Sequence, residues 1–107
     1  MIYEYRVYEA MPGKLPALNA RFREVTIRLF EKHGLKVVGF WETVVGTSNQ
    51  LHYMLSFQNL GDRERAWAAF GSDTEWLAAR AASEKDGPLV ARVQNSIWRP
   101  TDYSPMQ

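Results

Sequence analysis

The stretch NQLHYMLSFQN, residues 49–59, alternates with a period of two. Leu51, Tyr53, Leu55 and Phe57 fall on one face of an extended chain, and His52, Met54 and Ser56 fall on the other. Four large apolar side chains on one side make a core-facing surface. The other side, with an imidazole, a thioether and a hydroxyl, is neither core nor plainly solvent-facing. The run before it, LKVVGFWETVVG (residues 35–46), raises the same question. On strict alternation Leu35, Val37 and Trp41 share one face and Val38, Phe40 and Val44 the other, and both faces are apolar. The GTSN segment between the two runs suits a hairpin loop, so the pair reads as an antiparallel ribbon with apolar residues on both sides.

The flanking segments complete a plan. IYEYRVYEA (residues 2–10) alternates and is rich in strand formers, and Met11-Pro12-Gly13 turns the chain. Leu15, Leu18, Phe22, Val25 and Leu29 then recur at helical spacing, opposite Arg21, Arg28 and Lys32, which predicts an amphipathic helix of about five turns. His33-Gly34 closes it: glycine suits the left-handed position past a helix end, and an imidazole there favours the negative end of the dipole. Asp62 is positioned to cap a helix over RERAWAAF, and Ser72 or Asp73 to cap a restart that runs to about Glu84. Asp86-Gly87-Pro88 stops that segment, and VARVQNSIWRP supplies a final strand. The order strand, helix, strand, strand, helix, strand predicts a single α+β domain over residues 1–107. Its plan is the ferredoxin-like βαββαβ fold, a four-stranded antiparallel sheet with helices on one face.

Composition narrows the function. Of 107 residues 46% are hydrophobic, enough for a real core, and the net charge is +1 with arginines interspersed among acids, so no basic stripe suggests nucleic acid. There is no cysteine, hence no thiolate nucleophile and no thiolate metal site. No apolar run reaches the roughly 18 residues of a membrane span, and the first residues alternate instead of forming a signal-peptide core, so the expectation is a soluble cytoplasmic domain. His33 and His52 lie on different elements without ligand spacing, and the glycines occur singly at turns, so neither a metal site nor a nucleotide or hydrolase motif is expected. No cofactor is expected.

Helices cover only one face of such a sheet, and the second apolar face needs another partner. Each large side chain left exposed would forfeit about 1.5–3 kcal/mol, and contiguous apolar patches are rare on monomers. Residues 101–107 are too few to cover a sheet. The expected partner is a second copy, packed sheet to sheet across a two-fold axis as a homodimer.

Motifs in chain order agree with this reading. Tyr3-Glu4-Tyr5-Arg6-Val7-Tyr8 followed by Pro12-Gly13-Lys14 resembles the Y-E-x-R-x-Y opening and P-G-K turn of NIPSNAP-family domains. Gly39-Phe40-Trp41 resembles that family's G-[FY]-W, Asp73-Thr74-Glu75-Trp76 its D-x-E-W, and Gln94 to Pro100 with Ser104-Pro105 the ending of bacterial members. The resemblance covers nearly the whole chain and implies a dimeric α+β barrel. That superfamily also includes cofactor-free monooxygenases, haem-degrading enzymes and isomerases, with pockets between sheet and helices. NIPSNAP domains have no agreed activity, and animal relatives are linked to vesicle traffic and mitochondria, so the resemblance brings a fold and an assembly without a reaction. The histidine that many members carry on the third strand aligns with Tyr53, so His52 does not inherit its role.

The candidate polar residues for a ligand or for the dimer face are Glu4, Arg6, Tyr8 and His52. Arg6 is the natural clamp for a carboxylate, unless a protein acid such as Glu4 pairs with it. His52 could serve as a general base, but in mid-strand beside Met54 and Ser56 it reads as a hydrogen-bonded packing residue. Trp41, Tyr53 and Trp76 are the candidate pocket aromatics. The function expected is binding of a small apolar or carboxylate-bearing ligand, or of a partner protein, by a homodimer. The alternative is a cofactor-independent monooxygenase or isomerase acting on a small aromatic or ketonic substrate.

Overall fold

The computed structural model describes residues 1–107. Strand β1 (Ile2–Ala10) leads to α1 (Leu15–Arg21), a π-helical turn (Phe22–Thr26) and α2 (Ile27–Lys32), which together form one continuous helical rod. Strands β2 (Lys36–Glu42) and β3 (Gln50–Phe57) follow, then α3 (Leu60–Gly71), α4 (Thr74–Ser83) and β4 (Val90–Trp98). The strands form one sheet in the order β2-β3-β1-β4, every pairing antiparallel. This is the ferredoxin-like α+β plan expected from the sequence.

The helix ends have local causes. A proline sits in the first turn of α1, where its missing N–H costs nothing. His33 ends α2, and Gly34 follows at φ +82°, in the left-handed region. The cap of α3 is Asn59, whose side-chain oxygen accepts from the Asp62 backbone N–H at 2.8 Å, rather than Asp62 itself. Asp73 caps α4 by accepting from the backbone N–H groups of Glu75 and Trp76.

The core lies between the sheet and the helices. Leu51, Tyr53, Leu55 and Phe57 of β3 point into it and meet Leu18, Phe22, Leu29, Phe30, Ala66 and Phe70 from the helices. Aromatic rings dominate the contacts: Phe40 stacks on Tyr53 with centroids 5.0 Å apart, and Phe22 meets Phe40 at 5.1 Å and Tyr53 at 5.3 Å.

Two expectations about facing are corrected here. Strict alternation put Phe40 opposite Val37, yet the β2–β3 register shifts between Val37 and Gly39, so Val37 pairs with Leu55 and Phe40 with Tyr53. This bulge puts Val37 and Phe40 together on the core side and turns Trp41, opposite His52, to the outer face. Arg21 was expected on the polar face of the helix with Arg28 and Lys32, but it is buried. A π turn holds one residue more than an α turn, which sets the following residues back by about 100°. Arg21 therefore lines up with Leu29 instead of Arg28. The Thr26 hydroxyl donates to the Arg21 carbonyl at 3.2 Å, meeting a backbone acceptor at this irregular turn.

The outer face of the sheet carries Tyr3, Tyr5, Val7, Trp41, His52, Met54 and Trp98. The C-terminal tail folds over one end of it, where the Tyr3 hydroxyl donates to the Gln107 carbonyl and Tyr3 is buried. Trp41 and Trp98 are still about half exposed, at 51% and 47%.

Candidate functional site

Alternation in β1 sends Glu4, Arg6 and Tyr8 to the helix side, into a polar seam within an otherwise apolar layer. Glu4 is completely buried. Its carboxylate accepts from Arg63 Nε (2.9 Å) and Nη2 (3.0 Å), Trp67 Nε1 (2.8 Å), Asn95 Nδ2 (2.9 Å) and Arg6 Nη1 (3.0 Å). Burial alone would raise its pKa. The hydrogen bonds from Arg63, Asn95 and Trp67 and the charge of Arg6 outweigh burial and hold the pKa at about 2.

Arg6 is fully engaged. Besides Glu4, its Nε donates to the Tyr53 hydroxyl at 2.8 Å, and its guanidinium lies 4.5 Å from the centroid of the Trp67 ring. The Tyr53 hydroxyl donates onward to Tyr8 at 2.9 Å. Burial of Tyr53, together with Tyr8, raises its phenol pKa well above the usual value, and the phenol stays neutral. The chain of donors Arg6, Tyr53, Tyr8 ends at a hydroxyl whose ring lines a cleft.

That cleft, of about 320 Å³, opens between the helices and the β4 edge of the sheet. Tyr8 of β1 and Val90 and Val93 of β4 form its floor, and Trp67, Phe70 and Trp76 form an aromatic wall from α3 and α4. Phe70 lies between the tryptophans, with centroids 5.9 Å from Trp67 and 4.7 Å from Trp76. Arg21, Arg80 and Glu84 supply the charge. Arg21 donates through Nη1 to Ser83 Oγ and Glu84 Oε1, both at 3.2 Å, and its guanidinium lies 5.3 Å from the Trp76 ring centroid. Its Nε is buried and has no hydrogen-bond partner in the chain. A larger groove of about 510 Å³ beside α2 and β2 is lined by Glu31 and Lys36 with Ile27, Leu35 and Val37, and none of its lining groups is a buried, unpartnered polar atom.

The structure thus separates the residues singled out from sequence. Glu4, Arg6, Tyr8 and Tyr53 form the polar seam, and Trp76 walls the cleft beside it. Trp41 and His52 lie across the sheet from them. His52 bridges Tyr5 (2.6 Å from Nδ1) and Thr43 (2.8 Å from Nε2) and is stacked against the Tyr5 ring. Sequence reasoning missed Arg21, Arg63 and Asn95. The one available clue to Arg21 was its place at the flank of the apolar stripe, three residues after Leu18. Among the described residues no cluster of histidine, aspartate or glutamate could hold a metal ion.

The family model for NIPSNAP matches residues 3–105. The chain belongs to the NIPSNAP family. Solved NIPSNAP-family structures agree in fold over the full length. The domain is 27% identical to Atu4242 of Agrobacterium tumefaciens, described as a NIPSNAP family protein with unknown function, with a TM-score of 0.88 over 100% of this chain and 94% of that one. It is 26% identical to Atu5224 of the same organism, with a TM-score of 0.89 over 99% and 98% of the two chains. A NIPSNAP-like domain protein of Burkholderia xenovorans is 27% identical, with a TM-score of 0.86 over 97% and 88%. A putative antibiotic biosynthesis monooxygenase of Nitrosomonas europaea shares the fold, with a TM-score of 0.64 at 12% identity. A search of curated protein sequences finds no match. No helix of the NIPSNAP domain is long and apolar enough to cross a membrane.

Proposed function

We propose that this NIPSNAP domain binds a small, largely apolar molecule in the cleft between α3, α4 and the β4 side of the sheet, and that it does so as a sheet-to-sheet homodimer. The cleft supports the first part. Its volume of about 320 Å³ falls at the lower end of the range for small-molecule pockets, and such sites pair apolar walls with a few placed polar groups. The Trp67–Phe70–Trp76 wall supplies the apolar surface, and Tyr8 and Arg21 supply the polar groups. The half-exposed Trp41 and Trp98 on the outer face support the second part, because a second copy would bury both.

Native mass spectrometry of the protein as purified, with thermal shift against a small-molecule library, tests the ligand reading. A retained or stabilising small molecule whose effect is lost in Trp76→Ala is expected. A library without any stabilising compound, and a measured mass equal to the bare chain, would count against it.

A further inference from the structure

The cleft holds donors whose natural complement is an anion. Arg21 uses only Nη1 within the chain, toward Ser83 and Glu84. The buried Nε has no partner, and in a guanidinium it shares an edge with Nη2, the edge that meets a carboxylate side-on. The Tyr8 hydroxyl already accepts from Tyr53 and, at 3.5 Å, from Arg6, which leaves its proton as a donor. Glu84 is the one acidic group lining the cleft, and it is paired with Arg21 and lies 3.6 Å from Arg80, so two cations face one anion.

The Nε atom has no surface open to the cleft, so the reachable donor of that edge is Nη2, which also makes no hydrogen bond within the chain. The π turn fixes where this donor sits, and turns of this kind recur at functional sites. Arg6, the other arginine of the layer, has Glu4 and two phenols as partners and keeps no comparable open edge.

We infer that the cleft selects carboxylates with an apolar body, the carboxylate held by Nη2 of Arg21 and the hydroxyl of Tyr8 and the body laid against Trp76 and Phe70. This rests on the reading of the cleft as a ligand site. A lysine at position 21 would keep the charge without the fork.

The test is titration calorimetry of the full chain with octanoate and hydrocinnamate, each beside its neutral primary amide. At least one acid is expected to bind about tenfold or more tightly than its amide, the worth of a charge-assisted hydrogen bond. Arg21→Lys is expected to remove that preference while amide binding persists, and Lys36→Gln, a charge change in the separate groove beside α2 and β2, to leave it intact. Acid and amide binding equally well would overturn the carboxylate selection and leave the cleft as a ligand site. Neither acids nor amides binding would overturn both. Should Arg21→Lys fail to fold, the acid–amide comparison on the unaltered protein still decides.

Discussion

Glu4 and Arg63 meet side-on, Nε and Nη2 of the guanidinium each donating to a carboxylate oxygen at 2.9 and 3.0 Å, and this pair ties the second turn of α3 to the central strand β1. Because Glu4 is fully buried, its charge is tolerable only with those partners. Its pKa falls from an ordinary 4.5 to about 2, so the stabilisation is fully present above pH 4.5 and is lost as pH falls through 2. Glu4→Gln is expected to lower stability by about 3 kcal/mol at pH 7, with the difference from the unaltered protein shrinking toward pH 2. Urea melts at several pH values check it, and a pH-independent difference would speak against the pair as the cause.

Tyr53→Phe removes one hydroxyl and leaves Arg6 Nε without its acceptor and Tyr8 without its donor. The ring stays packed between Phe40 and Phe22, so the loss is polar and amounts to about 1–3 kcal/mol. Denaturant titration should show a lower midpoint with an unchanged slope.

Gly39 lies under the Trp41 indole: a Cβ there would come 2.7 Å from the far edge of the ring. Gly39→Ala should therefore push Trp41 off the sheet rather than break the strand, at a cost of about 1 kcal/mol or less within one chain, and weaken the pairing of outer faces that Trp41 would join. A shift in tryptophan emission and a smaller dimer fraction by light scattering are the expected results.

If the outer face joins two copies, Met54→Asp should dissociate the pair without reaching the cleft on the other side of the sheet. Light scattering at tens of micromolar is expected to give the mass of two chains for the unaltered protein and of one for the variant. A single-chain mass for the unaltered protein would rule the dimer out. His52→Gln, which loses the bridge between Tyr5 and Thr43, should weaken association more than it changes ligand binding.

The order of elements and most of the core were legible because period-two and period-3.6 patterns hold over Leu51 to Phe57 and Leu15 to Phe22. Reading failed where the chain carries one residue too many for its period. The bulge beside Val38 reversed the facing of Phe40 and Trp41, and the π turn moved Arg21 from the solvent side into the cleft. The π turn has no composition of its own, because FREVT is an ordinary helix sequence and only packing selects the irregular form. The bulge did leave a cue, since a lone glycine within a strand, here Gly39, marks an irregular or closely approached backbone. The buried seam was half visible: Glu4 and Arg6 stood out as alternating charges, but Trp67 and Asn95 join them only through tertiary contact.

The π turn has a consequence for how this site could be gained or lost. The position of Arg21 over the cleft is set by the number of residues between it and Leu29, not by any side chain in between. Deleting Arg23 or Glu24, both exposed, would let the rod relax to a uniform α-helix and swing α1 round its axis by about 100° relative to α2. The guanidinium would then turn away from the cleft and Leu18 away from the core, while the pairing of the strands stays as it is. An in-frame codon loss, and no substitution at the site itself, would be enough to switch the cleft off.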